Sequence, residues 1–580
     1  MDIDIIRHST AHVMAKAVTK LYNNVKLTIG PAIKDGFYYD FDLDVNLTAE
    51  DLTKIEAEMR KIINASENFT REEVSKEKAL EMFKNNPYKL ELINELPQNE
   101  VISVYYLGDD FVDLCRGPHV ENTNKLQNIG FKLIKVNGAY WRGNEKNKML
   151  QRVYGYAFAT KKELADYIQL QEEAKKRDHR KIGREQELFF FDETAPGMAY
   201  WLPKGFTILN SLIDFWREEH KKEGYQEFSG PQLNSSSLWK TSGHWDHYKE
   251  DMFVLTDADG KEQALKPMNC PNSIKVYESK LRSYKDLPLR FNDVDVIHRN
   301  EKSGQLNGLF RVRMFRQDDS HNYITKEQIG SEIKSIIKIA DKFYKIFGLP
   351  YKLTLSTRPD DFMGEIETWD KAETELKEVL DDICGTGNYR INEGDGAFYG
   401  PKIDIKMEDC LGREWQMGTV QLDFQLPQRF NLSYIDADGN KQTPIMVHRA
   451  IFGSFERFIG IITEHFAGSF PFWLSPVQIK VLSVTTIVND YAKEVFEQLE
   501  NAGFKVELDD RNEKIGYKIR ESASLKTPYN IIIGENEKEQ KTISLKIRGG
   551  VQLNDVKLDK FIEKLKELNN NKSLSLVTEF

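Results

Sequence analysis

Residues 295–323 read DVIHRNEKSGQLNGLFRVRMFRQDDSHNY. Two β-prone runs flank a polar loop with Gly304 and Gly308, and arginines punctuate the runs at Arg299, Arg311, Arg313 and Arg316. Runs this close leave no room for a crossover helix, so they predict antiparallel pairing. On a hairpin, Arg311 and Arg313 project from one face. Guanidinium forks on a rigid sheet suit polyphosphate oxygens, because they bind bidentately and stay charged. Taken alone, the stretch fits a solvated cationic edge strand equally well.

Outward from this stretch the same grammar continues. DMFVLT, YKLTLSTR, PKIDIKME and EWQMGTVQLDFQL are further β-prone runs, mostly too close together for βαβ units. They predict a largely antiparallel sheet and argue against a Rossmann-type enzyme. In PIMVHRAIFGSFERFIGIITEHFAG (444–468) a helix is expected after Gly453, with Phe455, Phe458, Ile459 and Ile462 as its buried stripe. Arg457 then lies on the other face and reaches a site beside the helix start. After Pro471 and Pro476, strands VQIKVLSV, FKVELDD, YNIIIG and KTISLKI are separated by helices over Tyr491 to Asn501 and Gly516 to Leu525, the pattern of a compact α/β domain.

Upstream, the N-terminal segment from Ile5 reads as a helix with Ile6, Val13, Met14, Ala17 and Leu21 on one apolar face, and Ile5, His8, His12 and Ala15 on a second stripe. Extended runs and a charged helix at 49–66 follow, consistent with an α+β domain. KKELADYIQLQEEAKKRDHRKIGREQEL (161–188) is charge-dense and predicts an exposed connecting helix. The expected fold class is α+β multidomain: residues 1–160, a connecting helix 161–184, an antiparallel-sheet domain 185–474 and an α/β domain 475–580.

Composition agrees. At roughly 100–200 residues per domain, 580 residues give three or four domains. With 40% apolar and 30% charged residues, collagen-like and disordered classes are excluded. A net charge of −10 excludes a surface that binds phosphates indiscriminately, so nucleic-acid contacts must use local basic patches. Four cysteines are too few for a disulfide scaffold, the N-terminus lacks a signal-peptide pattern, and no apolar run reaches the roughly 18 residues of a membrane span. The expected address is the cytoplasm.

His8 and His12 lie four apart on one helix face, and in DLCRGPHV Cys115 and His119 are also four apart. Three imidazoles and a thiolate could hold zinc, form a metal-free hydrolytic pocket, or be ordinary core and surface histidines.

Together these stretches resemble the threonyl-tRNA synthetases, a class II aminoacyl-tRNA synthetase family, over essentially the whole chain. Motif 1 corresponds to 206–224 followed by YQEFSGPQL with Pro231, motif 2 to HRNEKSGQLNGLFRVRMF and motif 3 to GSFERFIGI; KPMNCPNSI, QDDSHNY, GAFYGPKID and MGTVQLDF lie in order around them. The resemblance implies a class II catalytic domain, a homodimer formed through it, and a C-terminal anticodon-binding domain. It also implies one Zn2+ held by Cys270, His321 and His448, whose separations of 51 and 127 residues match no compact zinc motif.

The resemblance assigns further roles. Arg299, Arg457 and Lys402 would be catalytic; Arg299, Arg311, Gln416 and Arg457 would bind ATP, with Mg2+ on the pyrophosphate. Met268, Gln317, Asp319, Tyr399 and Gln421 would line the L-threonine pocket. A site that engages threonine's hydroxyl rejects valine but admits serine. The first domain would therefore hydrolyse seryl-tRNA(Thr) with His8, His12, Tyr39, Lys89, Asp113, Cys115 and His119, in a pocket expected to work without metal, although similar alanyl-tRNA synthetase domains hold zinc. Asn512, Lys526, Glu537 and Lys546, with Arg548, would contact the anticodon of tRNA(Thr), and Lys514, Lys518 and Arg520 would follow the tRNA backbone. HSTAH starting at residue 8 implies a form lacking the ubiquitin-like TGS domain. The competing expectation is a synthetase-like tRNA-binding or regulatory protein without aminoacylation activity.

Overall fold

The computed structural model describes residues 2–97 and 100–580, in two compact units, Met1–Glu173 and Ala174–Phe580. The division falls inside the helix Lys161–Arg177, past the expected boundary at 160. That helix ends before Asp178, whose side chain caps a second helix, His179–Glu185; the single connecting helix expected over 161–184 is thus two.

In the first unit, Asp2 caps the helix Ile3–Leu21. Ile6, Val13, Met14 and Ala17 are buried, but Leu21, expected on the same face, is at the helix end and exposed. The helix packs on a five-stranded sheet whose path runs Lys26–Leu27, Gly36–Asp42, Met149–Phe158, Gly130–Tyr140. A three-stranded sheet, Phe69–Val74, Ile102–Leu107 and Val112–Leu114, stands beside it.

The second unit is built on an eight-stranded sheet in the order Gln226–Glu227, Leu289–Asp293, Asp319–Ile324, Ile445–Ala450, Glu414–Asp423, Lys402–Glu408, Tyr351–Ser356, Arg390–Asn392. All neighbours are antiparallel except the two outermost pairs. Alternation along the strands separates two faces. Ile324, Val447, Leu422 and Ile403 join a core with Leu212, Trp216, Ile336 and Phe458, residues of the helices Pro203–Lys222, Ile329–Ile346 and Phe455–His465. The opposite face carries the polar residues described below.

Two expectations change here. The run FRVRMFRQDD is not one strand: Gly308–Phe310 is a short helical turn and only Met314–Arg316 pairs with Val296–His298. Arg311 bonds Glu301 and Arg313 bonds the Glu301 carbonyl and donates its N–H to Gly197, so both are held by the loop instead of a hairpin face. The helix Phe455–His465 is buried nearly all round.

Residues beyond 475 form a five-stranded sheet: Val506–Asp509, Ile479–Ser483 and Tyr529–Ile533 are parallel, and Ile543–Ile547 and Gln552–Val556 continue antiparallel. Its core includes Val481, Val495, Ile531 and Phe561. Among the described residues no helix is long and apolar enough to cross a membrane.

Candidate active site

Strand register assembles the site. His321 lies directly across from His448, His448 from Gln421, and Gln421 from Lys402, four adjacent strands contributing one row. Directly opposed residues point to the same face, so the row projects away from the helical core. Cys270 enters from above as the first residue of the helix Cys270–Glu278. The ligand atoms of Cys270, His321 and His448 all lie within 4.8 Å of one another, and all three residues are buried.

Burial pushes the Cys270 thiol well above its ordinary range, helped by Asp319 and Asp423, and holds the His321 imidazole neutral. His321 Nδ1 is buried without a hydrogen-bond partner, whereas His448 Nε2 bonds Asp423 Oδ2 at 2.8 Å. One thiol and two imidazoles, converging with an unpartnered ring nitrogen on His321 and a carboxylate behind the His448 ring, form a donor set that suits zinc and leaves a coordination position open.

The other expected residues surround this group. Asn269 Nδ2 donates to Asp319 Oδ2 at 3.2 Å, and the Tyr399 hydroxyl bonds Gln421 Oε1. Met268 Sδ is 3.1 Å from Nε2 of His244. His244 is fully buried, 3.8 Å from Cys270 Sγ, with its pKa lowered to about 3 by burial first. It was not singled out in the sequence, having no spacing relation to the triad.

Beside the row, a cavity of about 340 Å³ is walled by Arg299, Arg311, Arg457, Gln317, Gln416 and Gln421, together with Phe310 and Phe315. The Arg457 guanidinium is disfavoured by burial and by its neighbours Arg299 and Arg311. Such a concentration of fixed positive charge favours an anion in the cavity. The Arg299 guanidinium lies 5.2 Å from the centre of the Phe315 ring. Phe310 and Phe315 also escaped the sequence reading, because aromatics in a β-prone run read as core. Lys402 does not wall this cavity; it pairs with Asp404 at 3.2 Å and Asp395 at 3.5 Å, one strand beyond Gln421.

Motif 3 is tied to the sheet through Asp318. Its carboxylate accepts the backbone N–H groups of Ile451, Phe452 and Gly453 at 2.9, 2.9 and 2.8 Å. Ser454 then caps the helix by accepting the Arg457 N–H at 3.2 Å.

The first unit gathers a second cluster. Donor atoms of His8, His12, Cys115 and His119 also lie within 4.8 Å of one another. Cys115 Sγ is 3.4 Å from His8 Nε2 and 3.3 Å from His119 Nε2. Asp113, buried, accepts from Lys89 Nζ at 2.6 Å and from the Tyr39 hydroxyl. Burial lowers the pKa values of His8, His12 and His119 and raises that of Cys115 to about 11. The pocket thus offers neutral bases and a protonated thiol around one buried ion pair.

In residues 475–580, Asn512 and Lys526 are exposed and Lys546 is half-buried opposite Asn530. Glu537 is engaged within its own fold, accepting from Gly534 N–H at 2.9 Å and Ser544 Oγ at 2.6 Å. Lys518, expected along the tRNA backbone, is fully buried, with Nζ donating to the Ser483 and Asp509 carbonyls at 2.9 and 3.0 Å. Its helix packs Lys518 and Ser522 inward, a choice of face that charge alone does not reveal. Arg548 is likewise spent on the Lys526 and Phe470 carbonyls, both at 2.8 Å.

Comparison with known proteins adds three family matches: the tRNA synthetase class II core domain (G, H, P, S and T) at 253–466, the anticodon binding domain at 476–568, and the threonyl and alanyl tRNA synthetase second additional domain at 102–154. A threonine–tRNA ligase of Clostridium botulinum is 54% identical over 97% of this chain and 88% of its own length. Among solved structures, the RNA binding domain of threonyl-tRNA synthetase from Cryptosporidium parvum is 43% identical, with a TM-score of 0.66, covering 69% of this chain and 100% of that one. A putative threonyl-tRNA synthetase from Aeropyrum pernix is 28% identical, with a TM-score of 0.60, over 69% of this chain and 98% of that one.

Proposed function

Because the chain belongs to the threonine–tRNA ligases, a family of class II tRNA synthetases, we propose that it activates L-threonine with ATP to threonyl-adenylate, releasing pyrophosphate, passes the threonyl group to the 3′ end of tRNA(Thr), releasing AMP, and hydrolyses seryl-tRNA(Thr). The convergence of Cys270, His321 and His448 is the observation that carries the synthetic half. Zn2+ held there would offer its open positions to the amino nitrogen and side-chain hydroxyl of threonine. Asp319 and Gln421, on the same sheet face, orient that hydroxyl and the amino group, Asp319 accepting the hydroxyl proton. Valine lacks the hydroxyl and is rejected by about 10⁴ or more, whereas serine lacks only a methyl, worth roughly 1–3 kcal/mol.

In the adjoining cavity, Arg299 holds the α-phosphate and the charge that builds on it, Arg457 and Arg311 hold the outer phosphates with their Mg2+, and Phe315 offers a ring face to the adenine. Gln416 fixes Asp404, accepted at 2.7 Å, and Lys402 neutralises it. A binding protein without chemistry would have no use for a buried donor set beside clustered arginines.

Serine's admission gives the first unit its task. His8 and Lys89 position water against the ester, and Asp113 and Cys115 discriminate the acyl group. We read this pocket as metal-free, since four donors closed around one ion leave no position for water. Their convergence within 4.8 Å favours the other reading. Asn512, Lys526, Glu537 and Lys546 are proposed anticodon contacts. The helix Pro203–Lys222 and Tyr225 to Leu233, with exposed Phe206 and Leu233, are proposed as the homodimer interface, and the cytoplasm as the address.

The test is charging of tRNA(Thr) alongside metal content. One zinc per chain, lost together with charging in Cys270→Ala, supports the reading; charging by a zinc-free chain contradicts it. Two zincs per chain would transfer the editing pocket to the metal-bound reading.

A further inference from the structure

His179 is 1% exposed and sits at the start of the helix His179–Glu185, within the second unit. The Leu309 N–H donates to its Nε2 at 3.0 Å. That nitrogen is therefore the unprotonated one, and Nδ1–H donates to Glu464 Oε1 at 2.7 Å. The same oxygen accepts the His179 backbone N–H at 3.1 Å, while the other Glu464 oxygen pairs with Arg413. The imidazole thus joins the turn Gly308–Phe310 of motif 2 to the end of the motif 3 helix.

The consequence runs to Phe310. Its ring packs between His179, centroids 4.1 Å apart, and Trp415, 4.6 Å; its carbonyl accepts Arg457 Nε–H at 2.9 Å; and it walls the arginine-lined cavity. Gly308 lets the turn come this close: it has φ +50°, and a Cβ there would lie 2.3 Å from His179 Nε2. A side chain outside the cavity therefore fixes both an aromatic wall and the hydrogen bond that aims one guanidinium.

We propose that His179 is a positioning residue for ATP, acting through Leu309 and Phe310 on Arg457. This rests on the reading of the cavity as the ATP site, and the two are separable by experiment. Two near-isosteric substitutions divide the functions of the ring: His179→Gln can place an acceptor where Nε2 stands, and His179→Asn keeps only a donor where Nδ1 stands. ATP–pyrophosphate exchange is measured with ATP and threonine varied separately, beside thermal unfolding.

His179→Asn should raise KM for ATP about tenfold, the scale of one lost buried hydrogen bond, with KM for threonine unchanged. His179→Gln should stay within about threefold for ATP, a loss of well under one such bond. An unaltered KM for ATP in a folded His179→Asn, equal rises in both KM values, or equal damage by the two substitutions would overturn the proposal. If His179→Asn does not fold, His179→Gln decides by the same threefold limit. Arg457→Ala is the control: if it too leaves KM for ATP unchanged, the cavity reading fails and the proposal with it. Impairment there beside a native His179→Asn removes the positioning role alone.

Discussion

Arg299 and Arg457 face one cavity from different elements, one from the loop after Val296–His298 and one from the helix Phe455–His465. In the proposed reaction each would supply fixed charge where charge develops during adenylate formation, so Arg299→Ala or Arg457→Ala should lower the exchange rate by about 10²–10³; ATP–pyrophosphate exchange at saturating threonine measures this. Arg299 stood out in the sequence because it punctuates β-prone runs, and Arg457 because it lies opposite the apolar stripe of an expected helix. The triad did not: Cys270, His321 and His448 are 51 and 127 residues apart, and only strand register makes the two histidines neighbours. Family resemblance named them where spacing could not. His8 and His12 were legible because four-residue spacing on a helix brings side chains together, whereas Cys115 and His119 lie in the loop after Val112–Leu114 and only the fold brings them to that pair.

The sheet was legible as an antiparallel one from short runs at short intervals, but its strand order was not, since pairing partners such as Asp319–Ile324 and Ile445–Ala450 are far apart in the chain. Nor was the turn around Gly453 foreseen as a clamp. Gly453 has φ +71°, and a Cβ there would lie 2.4 Å from the Met417 carbonyl oxygen, while Asp318 grips its N–H. Gly453→Ala should therefore cost about 1–3 kcal/mol of stability through strain and contact and displace the helix start that carries Arg457. Chemical denaturation should show the loss, and KM for ATP should rise more than KM for threonine.

At the scale of the molecule, the proposed synthetic and editing sites fall in separate compact units. His8→Ala should leave threonylation near native while seryl-tRNA(Thr) accumulates; unchanged deacylation would remove the proposed role of His8. Within the second unit, Lys505 ties residues beyond 475 to the catalytic core, with Nζ 3.2 Å from both Ser211 Oγ and the Trp473 carbonyl. Burial, then Lys572, lowers its pKa to about 8. The unfolded chain keeps that proton up to the ordinary lysine range near 10, so over this interval the unfolded state binds more protons and stability rises with pH. Denaturation at pH 7.5 and 9.5 should show a gain of about 2 kcal/mol that is absent in Lys505→Met. The proposed division of labour between units would depend on a synthetic site that recognises its amino acid by a hydroxyl and so admits serine. Amino-acid-dependent ATP–pyrophosphate exchange with threonine, serine and valine, before and after zinc removal, tests this most directly. The expected order is threonine, then serine, with valine about 10⁴ lower, all exchange lost on stripping and restored by zinc; full exchange without zinc, or no preference for threonine, would contradict it.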